Sequence, residues 1–205
     1  MDITHYLLYF SISLVASVSF GPSVLLAASN GINFGRKLAF FGVLGHVSAV
    51  LLLAILSMSG VGALLIASET AFNGVKFLGA GYLVYLGIKI WRSDNGFSFH
   101  EGIQATPAKR HLFRQSFVLG MSNPKALVFF SSLFPQFIVP DAPLLPQFLI
   151  LAGTSLVNAF TFTFAYAVVA FKCKHALLTR VNGKGFARVT GSLFIGFAAM
   201  LATAS

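Results

Sequence analysis

Residues 122–128 read SNPKALV, between FRQSFVLGM before and FFSSLFPQFI after. A proline in a helix interior removes a ladder hydrogen bond, and a lysine in an apolar span is costly in lipid. Two expensive features side by side, Pro124 and Lys125, mark both a break in a helix and a candidate site. Near the start of the chain, FGPSVLL at 20–26 aligns with this stretch, proline on proline. The fold is read outward from that pair.

Composition sets the solvent. The chain has 205 residues, 57% of them hydrophobic and 9% charged, with a mean hydropathy of +0.84. That excludes an ordinary soluble domain and indicates a polytopic membrane protein. The 23 phenylalanines fit a chain that faces lipid and packs helix on helix. Cys173 is the only cysteine, so there is no internal disulfide, no thiol pair for redox work, and no cysteine metal site.

A spanning helix needs about 20 mainly apolar residues. Six segments qualify, at roughly 4–29, 38–66, 72–91, 115–138, 144–171 and 187–204. The first is read as a retained span, because MDITHYLL carries an acid and no basic residue where a signal peptide has its basic region. Arg36 and Lys37, then Arg92, Lys109, Arg110 and Arg114, then Lys172, Lys174, Arg180 and Lys184 lie after spans one, three and five. Glu69 and Asp141 lie on the opposite connections, with Lys76 the one base near them. The positive-inside rule therefore puts the odd loops in the cytoplasm and both termini outside, with Trp91 as an anchor at the inner interface. These basic loops meet topology and anionic headgroups; no aromatic-basic pattern points to nucleic acid.

The two halves of the chain repeat. Pro22 aligns with Pro124, and VKFLGAGYL at 75–83 aligns with ARVTGSLFI at 187–195, Gly79 on Gly191. Three spans separate the copies, so the second crosses in the opposite sense. The expected architecture is an all-α membrane protein of six transmembrane helices in two inverted three-helix repeats, 1–91 and 115–205, joined by a cytoplasmic linker at 92–114. Small residues such as Gly45 with Ala49, or Ser192 with Gly196, also suit close helix packing without any repeat.

Paired breaks near the midplane define the candidate site: Gly21, Pro22 and Ser23 in the first span, Asn123, Pro124 and Lys125 in the fourth. Half-helices that restart after a break aim positive N-terminal ends inward, a seat for a carboxylate. No Asp or Glu falls inside the six spans except near an end. Lys125 then lacks a protein counter-ion, which favours an anionic group on a substrate. The alternative is snorkelling, yet Lys125 is 11 residues past Arg114, about 16 Å of helix rise. His46 is the other titratable group well inside a span, either a proton carrier or a structural donor. Across the repeat it faces Asn158, which shares a helix face with Thr154 and Thr161. Tyr82 and Tyr85 line a pocket or face lipid.

GPS in span one, GAGYLVYLGIKIWRS closing span three and SNPKALVFFSSLFPQFI in span four together resemble the LysE/RhtB-type amino-acid exporters along essentially the whole chain. Where that family has a Pro-Gly-Pro triplet, this chain has Phe20-Gly21-Pro22. The resemblance implies a secondary transporter of the bacterial inner membrane that exports a small amino acid or derivative against protons, and it leaves room for a homo-oligomer. It highlights the same Gly21, Pro22, Asn123, Pro124 and Lys125. An enzyme is not expected, nor any cofactor or metal, since no nucleophile-base or metal-ligand constellation is present. The rival readings are an exporter of another small solute or metal ion, and a membrane scaffold in which Lys125 is dispensable.

Overall fold

The computed structural model describes residues 2–19, 21–59, 69–92, 107–139, 142–173 and 183–203. Phe20, the end of the expected second span, residues 93–106 of the expected linker, Asp141, Lys174 and Arg180 lie outside the described residues. All regular structure within them is helical.

Helix α1 (Ile3–Val18) is capped by Asp2, whose carboxylate accepts the His5 N–H at 2.7 Å. It ends at Ser19, where the backbone turns extended (φ −62°, ψ 139°). Gly21 is extended too (φ −168°, ψ 177°), and α2 (Pro22–Met58) starts on the proline. Proline suits that first helical position, whose N–H has no intrahelical partner anyway. The expected first span is thus broken where the sequence places the break.

Inside α2 one residue is not helical, Gly35 at φ 75°, ψ 167°, a conformation glycine adopts without steric cost. The chain folds back there. A Cβ on Gly42 would stand 3.0 Å from the Asn30 side-chain nitrogen, whereas twelve residues of continuous helix would separate them by about 18 Å. The expected gap between the first two spans therefore shrinks to one glycine followed by Arg36 and Lys37.

Helix α3 (Glu69–Trp91) and α4 (Lys109–Met121) follow, then α5 (Pro124–Val128). From α5 the chain continues as a π-helical turn (Phe129–Leu133) and a 3₁₀ turn (Phe134–Phe137). Pro135 explains the loosening, because it offers no N–H to the preceding turn. The Phe130 carbonyl is instead taken by the Ser57 hydroxyl of α2. Helix α6 (Leu144–Lys172) and α7 (Gly183–Thr203) complete the chain. Gln147 closes the approach to α6, accepting from Val139 N–H and donating to the carbonyls of Val139, Ala142 and Pro143.

Among the described residues α2 (37 residues) and α6 (29 residues) are each long and apolar enough to cross a bilayer. Taken with the helical run to Phe137, α4 makes a third such span, bent by 55° at the break.

Packing is organised around α2, which lies against α4 and α6, while α3 pairs with α7 and α1 rests on α6. Glycine sets the closest approaches. A Cβ on Gly31 would overlap the Ala167 carbonyl of α6, and one on Gly45 the Phe113 carbonyl of α4, both at 2.1 Å. Ala49, one turn after Gly45, meets Gly120 of α4. That small-residue pair packs as expected, whereas Ser192 is exposed and Gly196 has open space around it. An aromatic cluster of Tyr9, Phe129, Phe134 and Phe137 forms the core beside α1. Tyr9 is wholly buried and its hydroxyl meets Ser155 Oγ at 2.5 Å and the Leu151 carbonyl at 3.0 Å.

Candidate functional site

Both proline breaks arrive at one place. Asn123 precedes Pro124 as the N-cap of α5, and its side-chain oxygen accepts the Lys125 N–H at 3.1 Å. Its amide nitrogen donates to Ser23 Oγ, in the first turn of α2, at 2.8 Å. One side chain thus caps the second broken helix and ties it to the first. Asn123 is 1% exposed, so losing either partner would leave a buried polar group unpaired, which costs more than the bond contributes.

Lys125 does not snorkel. Its ammonium donates to the Ser19 carbonyl at 2.8 Å and meets Ser19 Oγ at 3.2 Å. Ser19 caps the C-terminus of α1, where unpaired carbonyls carry partial negative charge. The lysine therefore has a protein partner after all, the end of a helix, and sequence reasoning missed it because a backbone carbonyl leaves no residue-type signal. Gly21 lies in contact range of this arrangement. A Cβ there would lie 3.5 Å from the ammonium nitrogen.

Around Lys125 is a cavity of about 60 Å3, lined by Ser13, Ser17, Ser23, His46, Asn123, Ser155 and Thr163 with apolar residues between them. It has room for a few waters. His46, on the arm of α2 after Gly35, is buried, and its Nδ1 has no hydrogen-bond partner among the described residues. Gly120 of α4 leaves it space, since a Cβ there would stand 3.1 Å from Nδ1. His46 thus lines the cavity while its unpaired Nδ1 lies against Gly120, and an imidazole is the side chain suited to carrying a proton near neutral pH.

On α6 the expected face is rotated. Ser155, Ala159 and Thr163 line the cavity, while Thr154 bonds to the Tyr6 hydroxyl at 3.2 Å and Thr161 is exposed. Asn158 stands beside that row, buried, its amide nitrogen donating to Ser13 Oγ at 3.2 Å. Ser13 and Ser17 on α1, like Ser155 and Thr163 on α6, were not singled out from sequence. Their spacing of four, or of two fours, was the available signal.

The structure thus brings together Gly21, Pro22, Ser23, Asn123, Lys125 and His46, with Asn158 one side chain behind. Pro124 contributes the start of α5. The wall is rich in hydroxyls and amides, and Asp2 and Glu69 are the only acids among the described residues. Among those residues no group of three or more His, Cys, Asp or Glu could hold a metal.

Helices that break against each other inside an apolar bundle, around a half-buried lysine and a small polar cavity, define a polytopic membrane carrier. The family model of the LysE type translocator matches residues 14–205, and the chain belongs to that family of multi-pass membrane efflux transporters, not enzymes. It is 33% identical over 213 residues to a Vibrio cholerae protein named only as a membrane protein, covering 100% of this chain and 99% of the relative. It is also 33% identical over 196 residues to the homoserine/homoserine lactone efflux protein of Salmonella typhimurium, covering 96% and 95%. The Salmonella typhi protein of the same name matches equally well. No solved structure matches the chain.

Proposed function

We propose that the protein exports a small amino acid or amino-acid derivative from a bacterial cytoplasm in exchange for protons, with homoserine and homoserine lactone as the first solutes to try. The observation that carries this reading is the convergence of two proline-started helices on Lys125. The names of the Salmonella relatives and the hydroxyl-lined cavity support the solute class.

The proposed membrane arrangement has six crossings. The first is α1 with the arm of α2 before Gly35, and the second is the arm after it. The third is α3, and the fourth is α4 with α5 and the turns to Phe137. Helices α6 and α7 are the last two. Each half then opens with a broken crossing whose second piece begins on a proline, as an inverted repeat requires. Arg36, Lys37, Arg92, Lys109, Arg110 and Lys172 gather at one set of ends, which is the cytoplasmic set in this reading, with both termini outside.

In the proposed mechanism the substrate carboxylate takes Lys125 from the Ser19 carbonyl, assisted by the N-terminal turn of α2 and by Asn123. Losing that bond frees the end of α1, and the halves rock about the site. The cavity must widen for a substrate, and α1 is the helix placed to move, since it lies at the edge of the bundle on α6. His46 takes the transported proton on its unpaired nitrogen.

Proteoliposomes loaded with labelled homoserine or its lactone, under an imposed pH gradient, test this. Wild type should move both. The Lys125→Ala variant should lose homoserine movement far more than lactone movement, because the lactone has no carboxylate. His46→Gln should keep exchange of labelled for unlabelled solute while losing its response to the gradient. Movement of homoserine unaffected by Lys125→Ala would remove the carboxylate seat. If folded wild type moves neither solute, the substrate class is wrong.

A further inference from the structure

On the face of α4 turned away from the cavity, a groove of about 460 Å3 runs between α4 and α3. Arg110, His111 and Arg114 line one side, Tyr82 and Tyr85 the other, and Val118 its apolar inner end. We propose that this groove binds the phosphate of an anionic phospholipid from the leaflet bordering the basic loops. The proposal rests on the membrane placement of the chain and not on which solute it carries.

Charge is the first reason. Arg110 and Arg114 are one helical turn apart, so their side chains emerge on the same face. Among the described residues neither has an acidic partner. The two acids there are Asp2, before α1, and Glu69, at the opposite end of α3 and a full helix length of about 33 Å from Trp91. Guanidinium groups meet phosphate oxygens through paired hydrogen bonds, and basic pockets between helices at this level recognise lipid headgroups.

The opposite wall supplies the amphipathic part. Tyr82 and Tyr85 stack with ring centroids 6.2 Å apart and planes 30° from parallel. The Tyr82 hydroxyl reaches across the groove to the Gln115 carbonyl at 3.4 Å. Phenol rings at this depth suit the boundary between headgroup and acyl chain. Beyond Arg114, Val118 is 41% exposed, an apolar surface for the chain to follow.

Neighbouring charge is deployed elsewhere. Lys109 lies over the Phe41 ring of α2 at 4.8 Å from its centroid, away from the groove. The site is therefore two arginines and a histidine in a cleft, not a uniform basic rim. Helix α3 packs chiefly on α7 and only lightly on α4, so a lipid seated here would fasten the α3–α7 pair to the rest of the bundle.

Native mass spectrometry of the full chain, released from mixed micelles of phosphatidylglycerol and phosphatidylcholine, tests the site. Wild type should retain one phosphatidylglycerol with about a 10-fold preference, and that lipid should raise the unfolding temperature. Arg110→Gln/Arg114→Gln should lower retention to the phosphatidylcholine level and abolish the thermal shift, while Lys109→Gln should change neither. If the double variant fails to fold, Arg114→Lys serves instead. It keeps the charge without the fork, and should reduce the preference severalfold. Equal loss from Lys109→Gln would show diffuse attraction and overturn the site. Complete displacement by millimolar inorganic phosphate would make it a free-anion site and overturn the lipid. A preference shifted only by Asp94→Asn/Glu101→Gln would mean that the linker occupies the groove, and would overturn it too.

Discussion

The two proline breaks begin alike and end differently. Each has an extended residue before a proline at the first helical position, Gly21 before Pro22 and Asn123 before Pro124. After Pro22 the helix runs regularly to Gly35 and is pressed onto α6 through Gly31. After Pro124 the α-helix lasts five residues before loosening into π and 3₁₀ turns. Side-chain chemistry divides the other way. Where the first break has Gly21 and Ser23 around its proline, the second has Asn123 and Lys125. The first break is a closely packed post that supplies backbone, space and the Ser23 hydroxyl, and the second passes into π and 3₁₀ turns and carries Asn123 and Lys125. Two breaks of like backbone thus divide into a frame and a set of contacts, joined by the Asn123 to Ser23 hydrogen bond.

The largest effect tests the rigidity of the post. Gly31→Ala would drive a methyl into the Ala167 carbonyl, and a backbone overlap has no flexible side chain to relieve it. A loss of about 3 kcal/mol is expected, read as a lower midpoint of thermal unfolding in detergent. Gly153→Ala on α6, with nothing within 4 Å of the added carbon, should be neutral or stabilise by up to about 1 kcal/mol. Similar behaviour of the two variants would mean that α2 and α6 are not held in this contact.

Next comes the division of chemistry. Lys125→Ala should lower homoserine transport about 10- to 100-fold, the range for a hydrogen bond to a charged group. Ser23→Ala, one residue after Pro22 as Lys125 is one residue after Pro124, should stay within about 3-fold of wild type, since it loses one neutral bond. Equal losses would erase the distinction between frame and contacts. Asn123→Ala is expected to cost about 2 kcal/mol of stability, the sum of a lost helix cap and a lost hydrogen bond to Ser23. In a double-mutant cycle with Ser23→Ala the effects should fall short of additive by about 1 kcal/mol. Strict additivity would show that the two side chains are not coupled.

How much of this was legible in the sequence follows from what each feature is made of. The breaks at Pro22 and Pro124 were visible because proline has a fixed backbone consequence, and Lys125 because a charge in an apolar run is conspicuous. The turn at Gly35 was blurred into a gap over 30–37, since a single glycine with positive φ can replace a loop without changing hydropathy. The partner of Lys125 was hidden because it is a main-chain carbonyl, whose availability depends on where α1 stops. On α6 the sequence placed the polar face on Thr154, Asn158 and Thr161, whereas Ser155, Ala159 and Thr163 line the cavity. The face was built around the conspicuous amide of Asn158, and the serine and threonine next to it carry a weak signal because such side chains can bond to their own helix. The groove beside Tyr82 and Tyr85 needed the packing of α3 on α4, which pattern in one helix does not contain.

The smallest effect is the most exacting for the passive role of the first break. Gly21→Ala replaces an N-cap glycine by a poor cap, a cost of a few tenths to about 1 kcal/mol. Against this, φ of −168° is extended backbone that alanine adopts freely, so the substitution also reduces the freedom of the unfolded chain by about 0.4–1 kcal/mol. The two nearly offset, and stability should change by less than about 0.5 kcal/mol. The methyl would sit 3.5 Å from the Lys125 ammonium nitrogen, an ordinary contact in the present arrangement. It would nonetheless take up space that a carboxylate needs when the ammonium turns from Ser19. A two- to threefold rise in the half-saturating homoserine concentration, at unchanged unfolding temperature, is the expected result. A large fall in stability instead would mean that Gly21 is needed for a backbone conformation other than the extended one, and the first break would no longer be a mere frame.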